Sequence, residues 1–234
     1  MNYTSLAEEF WENGYLVVEN FFTDTLMDTL NQSSLKHFGL NPDWEHTSEF
    51  LDRTATEVIP WFPLREGSEE FKELEADQKL SSLTQEILNV GWNALYCMVM
   101  FSKQGTKGQA WHQDCPPENP SQFNLNRLIY THDITDEIGG QTIVMPGSHK
   151  RGVLPTGNPH EDMDGQVVLT PQKGTLVILH GHSWHRVLPI KGVYRLSVNC
   201  RAIPAKTPED ITDIAVYRNV RYRFSTNEVV EERG

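Results

Sequence analysis

From about residue 94 the chain breaks into short β-rich runs, each ended by Gly or Pro, and this pattern limits the fold more than any other feature of its 234 residues. The runs cover 94–101, 124–131, 141–145, 166–169, 175–180, 184–188 and 193–203. Strands this short and this frequent bury their apolar faces by closing into a sandwich or a jelly-roll barrel. With 38% hydrophobic residues, the chain can fill one substantial core, so a single domain is expected.

Ahead of these runs the pattern is mostly helical. Leu6, Phe10 and nearby Trp11 share one side of a short amphipathic helix over 4–12, which Asn13-Gly14 ends before a strand at Tyr15–Val18. Thr23 or Asp24 can cap a second helix carrying Leu26, Met27, Leu30 and Leu35 at helical spacing. Residues 41–67, with Pro42, Pro60 and Pro63, read as a long loop, and a further helix fits 81–90, capped by Ser81 or Ser82. The expected organisation is a mainly β fold with α: a mostly helical cover (1–93), a jelly-roll core (94–205) and a C-terminal extension (206–234).

Charge follows the same division. Residues 1–80 hold 17 acids and 5 bases, which accounts for the whole net charge of −12, while 95–205 hold ten bases and eight acids. The acidity belongs to the cover, and the near-neutral core can receive anions. A nucleic-acid partner is not expected, because no basic stripe is present. No apolar run approaches the roughly 20 residues of a membrane span, and the acidic start MNYTSLAEEF is not expected to be a secretory signal. Cys97, Cys115 and Cys200 are widely spaced, as free thiols of a reducing compartment would be. A cytoplasmic location is the expectation.

Nine histidines are present. His112-Gln113-Asp114 places an imidazole and a carboxylate on one face of an extended strand, within reach of one ion. A third ligand is available from His180, His182 or His185, near a strand end. Two histidines and one carboxylate with open positions suit non-haem Fe(II) better than zinc, for which no local motif is evident. By their residue types alone, these remain strand-end side chains that an ordinary polar loop would also contain.

Several linked segments resemble the phytanoyl-CoA dioxygenase-like family of Fe(II)/2-oxoglutarate oxygenases. Glu12-Asn-Gly-Tyr-Leu-Val-Val18 with Phe21-Phe22 is similar to the family's opening strand and helix. His112-Gln113-Asp114 matches its metal motif, and Gly139–Lys150 contains its Pro-Gly-Ser-His turn. Gly174–Arg195 resembles the distal segment, in which a strand-end His precedes the ligand His by five residues; this offset selects His185 over His180 and His182. The resemblance implies a double-stranded β-helix barrel, Fe(II) held by His112, Asp114 and His185, and 2-oxoglutarate and O2 as co-substrates. It also places Arg195 where the family grips the distal carboxylate of 2-oxoglutarate. A guanidinium fork suits that role, because it donates two charge-assisted bonds and stays charged.

Ser197, two residues on, can add a hydroxyl, and Gln113 and Thr142 are further co-substrate candidates. Trp111 and Trp184 precede two ligands and can line a substrate pocket or simply pack. Arg127 can meet an acidic substrate or sit on an exposed sheet edge, and His149 suits a structural turn. The implied reaction is hydroxylation of an unactivated C–H of a small molecule, with release of succinate and CO2; an anionic substrate is compatible. Asp114 favours hydroxylation or desaturation over halogenation, since related halogenases lack the carboxylate. The competing readings are a prolyl or protein side-chain hydroxylase and a jelly roll that binds a metal or ligand without catalysis.

Overall fold

The computed structural model describes residues 1–89 and 91–234, and is mainly β with helices gathered at its N-terminal end. The described helices are α1 (Tyr3–Asn13), α2 (Asp24–Phe38), α3 (Ser48–Thr54), α4 (Glu69–Glu75) and α5 (Gln78–Leu88). The strands are β1 (Tyr15–Val18), β2 (Ile59–Trp61), β3 (Trp92–Lys103), β4 (Gln109–Gln113), β5 (Leu125–Tyr130), β6 (Thr142–Val144) and β7 (Val167–Leu169). They continue as β8 (Leu176–His180), β9 (His185–Val187), β10 (Tyr194–Pro204), β11 (Ile214–Tyr217), β12 (Val220–Arg223) and β13 (Glu228–Glu232). Two antiparallel sheets result, ordered β1-β8-β5-β10-β3-β2 and β13-β12-β11-β4-β9-β6-β7. This is the jelly-roll arrangement that the punctuated β runs predict.

Alternation along the six-stranded sheet separates two environments. Leu196, Val198 and Cys200 of β10, Leu125 and Ile129 of β5, and Leu176 and Ile178 of β8 enter the large core shared with the helices. Their neighbours Leu128, Tyr130, Val177 and Leu179 turn the other way, into a second cluster between the sheets. α1 and α2 contribute Phe10, Met27 and Leu30 to the large core, all shielded from solvent. Thr23 caps α2 by accepting from the Leu26 N–H, as its residue type predicts.

Three sequence expectations change. The segment 41–67 is not a featureless loop. It contains α3, capped by Thr47, and β2, which pairs antiparallel with β3. A two-turn helix and a three-residue strand are too short to show a periodicity. The helix placed at 81–90 is α5, beginning at Gln78 and capped by Asp77 rather than by Ser81 or Ser82; Val90 lies outside the described residues. α4 precedes it. At the C-terminus, β11 pairs with β4 and opposes Tyr217 to His112, so the last strands extend the seven-stranded sheet.

Candidate metal centre and its pocket

His112 lies on β4, Asp114 directly follows that strand, and His185 opens β9, whose register opposes it to His112. Their donor atoms lie within 4.8 Å of one another, and all three residues are buried. Among the described residues this is the one such grouping of three His, Cys, Asp or Glu side chains.

The two imidazoles are oriented by backbone. His112 Nδ1 is 2.7 Å from the Ala110 carbonyl and His185 Nδ1 is 2.9 Å from the Ser183 carbonyl. Each Nδ1–H donates there, which leaves each Nε2 lone pair facing Asp114, at 3.7 Å from Oδ1 for His112 and 3.4 Å from Oδ2 for His185. Burial, reinforced by neighbouring His185, pushes His112 down to about 4, so it is neutral near pH 7. Burial alone would raise Asp114, but Arg201 and the two imidazoles hold its carboxyl well below the usual range. A neutral His112 nitrogen, a second imidazole nitrogen from His185 and an ionised carboxylate make a donor set that suits a divalent first-row ion. The residues fit a metal.

The pocket beside this cluster is lined by Met100, Leu128, Leu179, Val187, Thr142 and Arg195, among others. Arg195 is 1% exposed. Its guanidinium donates to Ser197 Oγ at 2.9 Å, the Gly140 carbonyl at 3.2 Å and Thr142 Oγ1 at 3.4 Å, and lies 5.7 Å from the Tyr130 ring. Tyr130 Oη in turn bonds Thr142 Oγ1 at 2.9 Å. No carboxylate pairs with Arg195 among the described ion pairs. A buried guanidinium held only by neutral groups is built to receive an anion.

Gly140 makes room for it. Its φ is +69°, and a Cβ there would stand 2.8 Å from Arg195 Cγ. Gly140→Ala is therefore expected to cost about 1–2 kcal/mol in left-handed backbone strain and to displace Arg195. Urea denaturation and the affinity for the anion check both effects; an unchanged affinity would show that Arg195 accommodates the methyl.

Other expected site residues point elsewhere. Trp111 and Trp184 pack with Ile143, Met145 and Leu154 on the outer face of the seven-stranded sheet, away from the pocket. Gln113 alternates to that same side. Its amide donates to the His182 carbonyl and accepts from the Leu154 N–H, both at 2.8 Å, so it fastens a loop. Arg127 has the parity of Leu125 and Ile129 and faces the helices. There it donates to Glu75 at 2.6 Å and to the Cys200 carbonyl at 2.7 Å, so it meets neither a substrate nor an exposed edge. His180 stacks on Phe123 with ring centroids 4.1 Å apart, outside the donor cluster, and His182 lies beside the same ring. His149 touches the Trp11 carbonyl, in keeping with a turn.

Sequence reasoning overlooked Arg201, Asn199, Asn126 and Tyr130. The available signal was parity on two strands, since Arg195, Ser197, Asn199 and Arg201 share a face of β10 and Asn126 and Tyr130 share a face of β5. It also overlooked Tyr217, whose ring stacks 5.6 Å from that of His112.

The sequence model of the family described as phytanoyl-CoA dioxygenase matches residues 10–192. No curated protein sequence matches the chain. Among solved structures, the fold is similar to the epimerase SnoN in complex with Fe3+, α-ketoglutarate and nogalamycin RO. That match has 16% identity over 92% of this chain and 86% of the other, with a TM-score of 0.67. HygX from Streptomyces hygroscopicus, with nickel and 2-oxoglutarate bound, is 14% identical over 88% of each chain, with a TM-score of 0.66. The non-haem α-ketoglutarate-dependent carbocyclase SnoK matches at 15% identity, 92% and 85% coverage and a TM-score of 0.67.

Proposed function

Because the chain belongs to the phytanoyl-CoA dioxygenase family, we propose that His112, Asp114 and His185 hold Fe(II) and that Arg195 grips the distal carboxylate of 2-oxoglutarate, in an oxygenase that hydroxylates a small anionic molecule. The observation that carries this reading is the unpaired, buried Arg195 in the same pocket as a preoriented His-Asp-His cluster. Bound iron, with 2-oxoglutarate and O2, supplies the oxidising power and yields succinate and CO2.

The chain supplies binding, orientation and dryness. Ser197 and Thr142 steer the Arg195 fork, and Tyr130 steers Thr142. Met100, Leu128, Leu179 and Val187 give the pocket apolar walls that exclude water and strengthen each charge interaction inside.

Charge supports an anionic substrate. The lining holds two guanidiniums, Arg195 and Arg201, and one carboxylate, Asp114, a surplus of one positive charge. An imidazole that ligates a metal does so in its neutral form and adds no charge to this count. A divalent ion and dianionic 2-oxoglutarate cancel, so one positive charge is left for the substrate to balance. A small-molecule substrate is supported by HygX, crystallised with hygromycin B, and by SnoN, crystallised with nogalamycin RO.

Anaerobic Fe(II) and 2-oxoglutarate together are expected to produce a visible charge-transfer band. Admitting O2 with a panel of carboxylated and uncharged metabolites should then give succinate release and a gain of one oxygen for a carboxylated member. Folded protein that shows no band would leave a ligand-binding jelly roll without oxygenase activity. A band followed by turnover of peptides alone would favour a protein side-chain hydroxylase.

A further inference from the structure

Of the three proposed ligands, Asp114 is the one placed beyond a strand end, just after β4. Its backbone N–H is fixed by the Gly181 carbonyl at 2.9 Å, but a bend does not by itself fix a carboxylate rotor. Two donors do. Arg201 Nη2 donates to Oδ1 and Asn126 Nδ2 donates to Oδ2, each at 2.7 Å. Asn126 is steadied in turn by Asn199 Nδ2, 2.9 Å from its Oδ1, and the Arg201 guanidinium lies 5.5 Å from the Tyr96 ring. All three side chains line the pocket and are buried. They stand on β5 and β10 of the six-stranded sheet, whereas Asp114 directly follows β4 of the seven-stranded one. The grip therefore reaches across the barrel.

We propose that Arg201 and Asn126 are positioning residues that pin the Asp114 carboxylate, one donor on each oxygen, so that the ligand is set before the ion arrives. Asn199 acts one step further out, by holding the Asn126 amide with its nitrogen towards Asp114. This inference rests on the metal reading above, and adds how the ligand placed beyond the strand end keeps its geometry.

Co(II) tests it, because its visible spectrum reports coordination number whether or not the enzyme turns over. Wild type, Asn126→Ala, Asn199→Ala, Arg201→Lys and Arg201→Met would each be titrated with Co(II). Asn126→Ala and Arg201→Lys are expected to weaken Co(II) binding about tenfold (about 1.4 kcal/mol) and to change band shape and intensity as the carboxylate becomes free to rotate. Asn199→Ala should weaken binding by roughly threefold, and Arg201→Met by more than Arg201→Lys, which keeps the charge. If Arg201→Met does not fold, Asn126→Ala still decides, since it removes only a neutral amide. Identical affinities and spectra in wild type, Asn126→Ala and Arg201→Lys would overturn the positioning role alone. Wild type without a Co(II) spectrum would overturn the metal reading and this role together.

Discussion

Asp114→Ala is expected to abolish Fe(II)-dependent turnover and, in the same step, to destabilise the protein. The loss of turnover follows from removing the anionic member of a three-ligand set. The loss of stability follows from Arg201, whose guanidinium is buried and bonded to Asp114 Oδ1 at 2.7 Å. Removing one partner of a buried pair strands the other charge, at a cost of about 3–5 kcal/mol. For a chain of this length that corresponds to a melting temperature lower by on the order of 10 °C. Asp114→Asn should keep much of the fold, since an amide oxygen still accepts from Arg201, while turnover is lost. Activity assays and thermal denaturation on both variants check this. Retained turnover in Asp114→Ala would remove the residue from the triad.

Arg195→Met should do the opposite to stability. Arg195 has no carboxylate partner to strand, and its bonds are to Ser197, Thr142 and the Gly140 carbonyl. Replacing an uncompensated buried charge by an apolar side chain of similar length should leave the melting temperature of the ligand-free protein unchanged or higher. The effect appears instead in the co-substrate: losing a forked, charge-assisted grip is worth about 3 kcal/mol, or roughly a 100-fold higher 2-oxoglutarate requirement. Arg195→Lys should recover only part of it, because a point charge cannot make two parallel bonds. An unchanged 2-oxoglutarate KM would mean that another base holds the carboxylate. A melting temperature that falls as far as in Asp114→Ala would make Arg195 a structural residue.

The two variants also show which parts of the site were legible in the sequence. Local order placed His112 and Asp114 on one strand face, whereas the choice of His185 over His180 and His182 came from the resemblance to the family's distal segment. Arg195 was legible through the same resemblance, and Ser197 through sharing its strand face two residues on. Two further steps of the same alternation reach Asn199 and Arg201. Arg127 fails by the converse error: its parity with Leu125 and Ile129 already turned it from the pocket. Trp111 and Gln113 flank His112, and period-two alternation sends neighbours of an inward residue outward. Tyr217 could not have been found, because its place against His112 depends on a pairing between strands about a hundred residues apart. Short elements such as α3 and β2 were hidden for a different reason, since they are stabilised by what they pack on rather than by local pattern. Phe50 of α3, for example, meets the Tyr222 ring at 5.3 Å.

The ion pair between Arg127 and Glu75 has a consequence for how such a chain can diversify. Glu75 is one of the acids that give the cover its charge, yet it reaches through the apolar seam to the back of the strand pair that carries Asn126, Asn199 and Arg201. β1 and β2 of the same N-terminal segment form both edges of the six-stranded sheet. Cover and barrel are thus interlocked rather than stacked, and neither could be exchanged by recombination without breaking the other. Heritable variation in what the pocket admits is left to the loops at its rim and to the few side chains that share a face with Arg195.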